Sequence, residues 1–259
     1  MEGLLGRFPQ LVINPQTVRR NFAIAMPELT ESQLQALVKD VGRGFGRVLG
    51  ELPHLQSFQK NRHGASLVLH NAPPPDLIDA GPVILIGAHA GNWEVNCAAF
   101  AMLGRPVVTV YSVLGEPAAD REMTRMRTAT GQEMVERQVA VRACMRALQQ
   151  GKNVAMLVDH RVKSGHVVPF FGREAIFSHL PARLAIRFGH PIISASQKRL
   201  GRIAYEVRFS APIYPDKNLS PERAEWDLTA RMAAAIEATI RANPSDWFCA
   251  TRRWPHDMM

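Results

Sequence analysis

The run from Ile84 to Ile86 is wholly apolar and leads into a turn of small residues at 87–91. An apolar run this short cannot cross a membrane, so it predicts a strand buried in the interior of a folded domain. The small residues of the turn leave room for another molecule to approach the backbone. His89 lies within this turn, and Glu94 follows it after four intervening residues.

His89 and Glu94 have the chemistry of a general base and its orienting acid. A neutral imidazole can accept a proton from a hydroxyl at physiological pH, and a carboxylate against its other ring nitrogen would fix the tautomer. No serine or cysteine stands where the nucleophile of a catalytic triad is expected. A single His-x-x-x-x-Glu spacing is common, so a structural or solvated histidine is the alternative interpretation.

The residues around this pair carry a family resemblance. Residues 87–94 have the pattern Gly-x-His-x-Gly-Asn-Trp-Glu, which resembles the signature of the bacterial lipid A biosynthesis (lauroyl/myristoyl) acyltransferases, within the lysophospholipid acyltransferase superfamily. Further segments resemble the blocks of that family in their usual order: 157–160, 168–172, 184–193, 243–247 and 252–254. Several ordered blocks occur together by chance far less often than one motif does.

The resemblance implies transfer of a fatty acyl group from a thioester, usually carried by acyl carrier protein, to a hydroxyl of a lipid A precursor or related glycolipid. His89 would deprotonate the acceptor hydroxyl, and Glu94 would hold the imidazole and offset its developing charge. The acyl thioester is a co-substrate, and we predict no other cofactor. We also predict no metal, because His89 and Glu94 lack the histidine pair or Cys-x-x-Cys spacing of common metal sites.

Six further residues are expected to contact substrate: Asn92, Trp93, Arg127, Asp159, Phe171 and Gly172. The family carries an arginine for anionic substrate groups in the region of Arg127, and a guanidinium can clamp a phosphate through two hydrogen bonds. A solvated basic face shared with Arg121 and Arg125 is the alternative.

Asp159 follows a strand-like segment, so it would project from a strand end and position a substrate or an arginine, or else cap a turn. Phe171 and Gly172 would wall the acyl or acceptor site, although an aromatic pair is more often part of a core. His160 stands where the family usually has glutamine. Local hydrogen bonding at this site is therefore expected to differ from that of relatives.

Apolar runs alternate with helical patterns along most of the chain. Predicted strands are 82–88, 106–112, 152–158, 191–197 and 202–209, and predicted helices are 92–103, 118–130, 138–150, 179–189 and 222–242. This alternation indicates an α/β fold with a largely parallel central sheet flanked by helices, and the resemblance implies the glycerolipid-acyltransferase type. We expect a single acyltransferase domain over 1–259, with a helical N-terminal region at 1–75 and an α/β catalytic core at 76–259.

Thr30 and Gln33 form a capping-box pattern at the start of a long amphipathic helix in the N-terminal region. Many family members begin with a membrane-spanning helix, yet no run of 18 apolar residues occurs here. We therefore expect a short member without that helix, resting on the membrane surface through its first 13 residues, with Arg19 and Arg20, or soluble.

The 31 Lys and Arg residues exceed the 23 Asp and Glu residues, which gives a net charge of +8. A basic surface favours anionic partners: acyl carrier protein, a lipid or glycolipid acceptor, or an anionic membrane surface. No zinc-finger, RNA-binding or helix-turn-helix signature is visible, so we predict no nucleic-acid partner. Three scattered cysteines indicate a reducing compartment. The expected location is the cytoplasmic side of the inner membrane, peripherally bound, or the cytoplasm.

Other functions stay open at this point. A thioesterase or esterase would use His89 to activate water, and an acyltransferase could act on an acceptor other than lipid A. A lipid- or carrier-binding protein without catalysis is a third possibility. Acyl-chain length and the identity of the acceptor are not encoded in these motifs.

Overall fold

Five adjacent parallel strands make up most of a seven-stranded sheet in the computed structural model, which describes residues 14–255. The strand order is β1-β9-β8-β2-β5-β3-β4, and β9 runs antiparallel to β8 while β1 runs parallel to β9. The strands are β1 (Ser66–His70), β2 (Ile84–Gly87), β3 (Val107–Tyr111), β4 (Gln132–Glu136), β5 (Asn153–Leu157), β8 (Ile192–Arg199) and β9 (Ala204–Phe209). A separate antiparallel hairpin joins β6 (His166–Phe170) to β7 (Arg173–Phe177).

Helices cover both faces of the sheet, and they are α1 (Pro15–Ala25), α2 (Glu31–Glu51), α3 (Leu55–Gln59), α4 (Pro75–Ala80), α5 (Glu94–Ala101), α6 (Pro117–Thr128), α7 (Ala140–Gln149), α8 (Leu180–Phe188) and α9 (Pro221–Ala242). Ile84 and Ile86 belong to the hydrophobic core on one face, and Leu85 belongs to the core on the other. All three side chains are fully buried. Central strands covered on both sides read as continuous apolar runs, which explains the pattern at this strand.

The long helix α2 begins as its sequence predicts. The Thr30 side chain accepts a hydrogen bond from the backbone of Gln33, and the Gln33 side chain accepts one from the backbone of Thr30. Leu34, Val41 and Val48 are buried along one face of this helix, which packs on the core. Among residues 14–255, no helix combines the length and apolar character needed to span a membrane.

The predicted α/β architecture is confirmed, and all five predicted strands and five predicted helices lie where the sequence places them within a few residues. The sequence patterns missed β1 and β4, which lie at the two edges of the sheet, and β6 and β7, which form the separate hairpin. β1 lies inside the region 1–75 that was expected to be helical, and it joins the sheet beside β9. The predicted membrane-contacting segment 1–13 lies outside the described residues.

Candidate active site

Two neighbouring parallel strands bring the site together. Gly87 at the end of β2 pairs with Leu157 at the end of β5, and the backbone N–H of Val158 donates to the carbonyl of Gly87 at 3.0 Å. Each strand is followed, two residues later, by an ionisable side chain: His89 after β2 and Asp159 after β5. Parallel neighbours end at the same edge of a sheet, so these two residues meet although 70 positions separate them.

Asp159 holds His89 through both its ring and its backbone. The carboxylate Oδ1 lies 2.8 Å from the ring Nδ1 and accepts a hydrogen bond from the backbone N–H of His89 at 3.1 Å. An ionised carboxylate only accepts hydrogen bonds, so Nδ1 carries the hydrogen and Nε2 presents its lone pair. Within residues 14–255 nothing hydrogen-bonds to Nε2, and the His89 side chain is 20% exposed.

Asp159 is itself fully buried. Burial alone would raise the pKa of Asp159, but the charge interaction and hydrogen bond with His89 outweigh burial and hold that pKa well below its usual range. The indole Nε1 of Trp247 donates to the second carboxylate oxygen at 3.1 Å. Asp159 is therefore a buried, ionised acceptor with both oxygens engaged.

The position of Glu94 differs from the prediction that it orients His89. The Glu94 carboxylate, which is 2% exposed, accepts a hydrogen bond from Nε of Arg127 at 2.8 Å and another from Nε1 of Trp93 at 3.0 Å. Its side chain leaves the first turn of α5 toward α6, whereas the imidazole faces β5. In this structure Asp159, and not Glu94, is the carboxylate against His89.

Three partly buried aromatic rings lie beside the imidazole. Trp93 contacts His89 edge to face at a centroid distance of 5.3 Å. Phe248 stacks on Trp93 at 5.5 Å, and Phe45 from α2 stacks on Phe248 at 4.2 Å. We call Phe45, Trp93 and Phe248 the aromatic face. Its rings come from three distant parts of the chain and form an apolar surface next to the imidazole.

The last segment of the chain fixes the loop that carries His89. The backbone N–H of Phe248 donates to the carbonyl of His89 at 2.6 Å, and Ala90 forms a β-bridge with Trp247. The backbone N–H of Gly91 donates to the carbonyl of Asp246 at 2.7 Å. The loop is thus held on one side by β5 and on the other by residues 246–248, which belong to the segment 243–254 that we call the closing block.

His160 stacks on His89 with ring centroids 4.0 Å apart and planes 6° from parallel. Burial, together with the positive charge that His89 can carry, lowers the pKa of His160 to about 4. Its buried Nε2 has no hydrogen-bond partner among the described residues. A neutral ring therefore lies against His89, which avoids the repulsion that two imidazolium rings would suffer.

The sequence over residues 4–256 matches the family model described as bacterial lipid A biosynthesis acyltransferase. The chain belongs to this family. It is therefore an O-acyltransferase of lipid biosynthesis. None of the curated proteins matches the sequence. A crystal structure of the 1-acyl-sn-glycerophosphate (LPA) acyltransferase PlsC from Thermotoga maritima is similar, with 13% identity over 92% of this chain and 97% of that one and a TM-score of 0.39.

Asn92 was predicted to contact substrate in this lipid A acyltransferase family member, but its side-chain amide is used within the protein. Asn92 is 1% exposed; its Nδ2 donates to Glu51 at 2.7 Å, and its Oδ1 accepts from the backbone of Glu94 at 3.2 Å. Glu51 also accepts hydrogen bonds from Arg199 and Tyr205. Asn92 thus anchors the start of α5 to the end of α2.

Phe171 and Gly172 were predicted to wall the site, and the structure places them at the turn between β6 and β7. Phe171 is 5% exposed and stacks on Trp247 at 5.8 Å, so it supports the residue that holds Asp159. The backbone N–H of Phe171 donates to Glu237 of α9. Gly172 is exposed and has φ +68°, a left-handed conformation suited to glycine.

Arg127 was predicted to bind an anionic group, and its guanidinium is instead engaged with Glu94. Arg253 from the closing block is 2% exposed and lies over the ring of Phe177 at 4.3 Å. Burial lowers the pKa of Arg253 to about 10. Both arginines face the interior around the site, and neither forms a solvated surface patch.

Sequence reasoning identified His160 as a departure from the family's glutamine, but it did not identify Trp247, Phe248, Phe45 or Glu51 as members of the site. The closing-block resemblance covered Trp247, and the apolar face of the first long helix covered Phe45, but neither pattern shows that the residue lies beside His89. His89, Asp159 and His160 also have ligand-type atoms within 4.8 Å of one another. In that group Nδ1 of His89 and Oδ1 of Asp159 are hydrogen-bonded to each other.

Proposed function

We propose that this enzyme transfers a fatty acyl group from an acyl-carrier-protein thioester to a hydroxyl of a lipid A precursor or a related glycolipid. His89 is the general base. The observation that carries the proposal is the 2.8 Å contact between Nδ1 of His89 and buried Asp159, which leaves Nε2 accessible for a proton. Family membership supplies the reaction class.

The chemistry runs as a direct transfer. Nε2 of His89 takes the proton of the acceptor hydroxyl as its oxygen attacks the thioester carbonyl carbon. The tetrahedral intermediate collapses with cleavage of the carbon–sulfur bond, and the imidazolium gives its proton to the departing thiolate. Asp159 stabilises the imidazolium between these steps, as the aspartate of a hydrolase triad does. The protein forms no covalent bond to the acyl group.

Trp93 keeps the aromatic face next to this reaction. Its indole is held by Glu94, which is in turn held by Arg127. An apolar surface that meets the imidazole suits the first carbons of an acyl chain, since burial of each CH₂ group contributes about 0.8 kcal/mol. The Glu94–Arg127 pair is a positioning element in this proposal, acting on substrate through Trp93.

Positive charge lies near the site and suits an anionic donor or acceptor. Arg137 and Arg161 are exposed, and Arg137 lies near enough for its charge to lower the pKa of His160. In the family that this chain belongs to, the donor is carried by acyl carrier protein, which is acidic. The acceptors are lipid A precursors, which carry phosphate. Either would be drawn toward this charge by long-range attraction.

The same surface combines charge with exposed apolar side chains. Val139 and Val141 are 57% and 56% exposed and lie between Arg137 and Arg142. This combination binds anionic membranes, with the apolar groups entering the headgroup region. We propose peripheral attachment here, at the cytoplasmic face of the inner membrane. Val139→Asp with Val141→Asp should abolish sedimentation with anionic vesicles, whereas Val167→Asp, also at an exposed valine, should not; equal binding by all three proteins would contradict the attachment.

The test of the reaction is mass spectrometry of a membrane lipid extract incubated with acyl-carrier-protein thioesters and enzyme. We expect a lipid heavier by one acyl group with wild type and with His63→Ala, a variant of an exposed histidine, but not with His89→Ala. Free fatty acid without an acylated lipid would instead show a thioesterase. Equal acylation by wild type and His89→Ala would refute His89 as the base.

A further inference from the structure

A second cluster of ionisable side chains lies apart from the catalytic residues. His166 opens β6, His179 directly precedes α8, and Glu225 lies in the first turns of α9. Their side chains are 27%, 26% and 16% exposed, so the cluster is partly buried and still reachable from solvent. No motif in the sequence indicated it, because the three residues come from separate elements.

The distances between the side-chain atoms match those of a metal site. Oε1 of Glu225 lies 2.8 Å from Nε2 of His166 and 3.4 Å from Nδ1 of His179, and all three atoms lie within 4.8 Å of one another. Zinc binds histidine nitrogen and carboxylate oxygen at about 2.0–2.2 Å, so neighbouring ligand atoms of a tetrahedral site are roughly 3.3 Å apart. The three atoms therefore need only small movements to share one ion.

We propose that His166, His179 and Glu225 bind a divalent transition metal, with zinc as the best match. Two imidazoles and one carboxylate are a ligand set that zinc uses, and softer or harder cations prefer thiolates or all-oxygen sites. The partial exposure of the three side chains leaves the fourth position to water. None of these ligands belongs to the catalytic group, and the proposal is independent of the identity of the lipid acceptor.

Arg183 completes the surroundings of the carboxylate. Its Nε donates to both oxygens of Glu225 at 3.0 Å, while the two imidazoles face Oε1. Carboxylates that bind metals are commonly hydrogen-bonded by a further residue, which orients them. Arg183 can keep Oε2 while Oε1 turns to the ion. Its side chain is 58% exposed, so water screens its charge from the metal.

A metal here would fasten the β6–β7 hairpin to α8 and α9. Trp226, next to Glu225, already joins α9 to β6, because its Nε1 donates a hydrogen bond to the carbonyl of Val167 at 2.9 Å. The hairpin carries Phe170 and Phe171, which pack against Trp247, and Trp247 holds Asp159. The ion would thus stiffen the support of the catalytic carboxylate without touching substrate.

Calorimetric titration of the purified full chain with zinc chloride tests the site, and cobalt(II) absorption reports its geometry. We expect one saturable site with tetrahedral cobalt bands and a rise in Tm with zinc. His166→Gln, His179→Gln and Glu225→Gln should each weaken zinc binding by about 100-fold or more, since even second-shell changes cost 10–100-fold. Glu222→Gln, on the exposed side of the same helix, is the matched control.

His160→Gln separates this cluster from the catalytic group, in which His89, Asp159 and His160 also have ligand-type atoms within 4.8 Å of one another. Zinc affinity that is unchanged in His160→Gln and lost in His179→Gln supports the proposal. Absence of saturable binding to wild type would overturn it. Binding lost in His160→Gln but kept in His166→Gln and His179→Gln would overturn it as well. Circular dichroism of each variant excludes unfolding as the cause of lost binding.

Discussion

Asp159 contacts His89 at two atoms at once, the ring Nδ1 at 2.8 Å and the backbone nitrogen at 3.1 Å. The double contact fixes where the histidine is and which tautomer it adopts. It also sets the direction of the remaining ring nitrogen, because the imidazole cannot turn without losing the hydrogen bond. A carboxylate from one strand thus prepares a base on the next strand.

The pKa of His160 predicts how stability depends on pH. Since burial lowers this pKa to about 4 from 6.5, the unfolded chain binds a proton between these values that the folded chain does not. Burial of His160 therefore costs no stability above pH 6.5. As the pH falls from 6.5 toward 4, the free energy of unfolding decreases, because protons bind the unfolded chain in preference to the folded one. His160→Gln should reduce the stability loss between pH 7 and pH 5 by about 2 kcal/mol.

Urea unfolding at the two pH values measures this difference. His63→Gln is the control, because His63 lies in an exposed turn outside the site. A pH dependence that His160→Gln leaves unchanged would show that His160 is as easily protonated in the folded protein as in the unfolded one.

The buried pair of Glu94 and Arg127 should matter for stability. Their side chains are 2% and 14% exposed, so removal of one charge leaves the other poorly solvated. Glu94→Gln and Arg127→Met should each lower the free energy of unfolding by about 3 kcal/mol. The double variant should lose much less free energy of unfolding than the two single variants lose together. A double-mutant cycle from urea unfolding would measure this difference.

Arg125 and Glu122 form an exposed pair on the same helix α6 and provide the control. Arg125→Met should change the unfolding free energy very little, because water screens that pair. Strictly additive losses for Glu94→Gln and Arg127→Met would contradict an energetic coupling between the two residues.

The aromatic face should bind part of the acyl chain. Phe248→Ala removes a ring that stacks on both Phe45 and Trp93. Loss of about 1.5 kcal/mol of apolar contact corresponds to roughly a tenfold higher KM for a long-chain acyl donor, with a smaller change in kcat. Steady-state kinetics with long- and short-chain thioesters would measure the effect.

Phe100→Leu serves as the comparison, since Phe100 is buried in the core on the other face of the sheet. Phe100→Leu should leave the ratio of the KM for the long-chain thioester to the KM for the short-chain thioester as in wild type. If Phe248→Ala raised KM equally for long and short chains, the aromatic face would not be a chain-binding surface.

The fold could be predicted from the sequence because its central strands have strong local signals. Residues 84–86 are apolar throughout, as a strand buried on both faces must be. β4 escaped prediction because it lies at the sheet edge, where Glu133 and Glu136 remain in its sequence. Its assignment depends on pairing with β3, which a local pattern does not contain.

The site was only partly predictable for the same reason. His89 and Asp159 were both identified as residues at strand ends, but their contact depends on the adjacency of β2 and β5 in the sheet. Glu94 was the nearest carboxylate in sequence, and its spacing from His89 together with the family resemblance favoured it. The structure sends Glu94 to Arg127, a residue 33 positions away on another helix.

The most direct test of the central claim compares the turnover of Asp159→Asn with that of Glu94→Gln under saturating acyl donor and acceptor, using variants shown to be folded. Asparagine can donate to Nδ1 and so favours the wrong tautomer, and we expect kcat to fall by about 1,000-fold or more. Glu94→Gln keeps His89 and Asp159 intact and should lose less than about tenfold. A near-normal kcat for Asp159→Asn would contradict the account. So would a loss of kcat in Glu94→Gln as large as the 1,000-fold loss expected for Asp159→Asn.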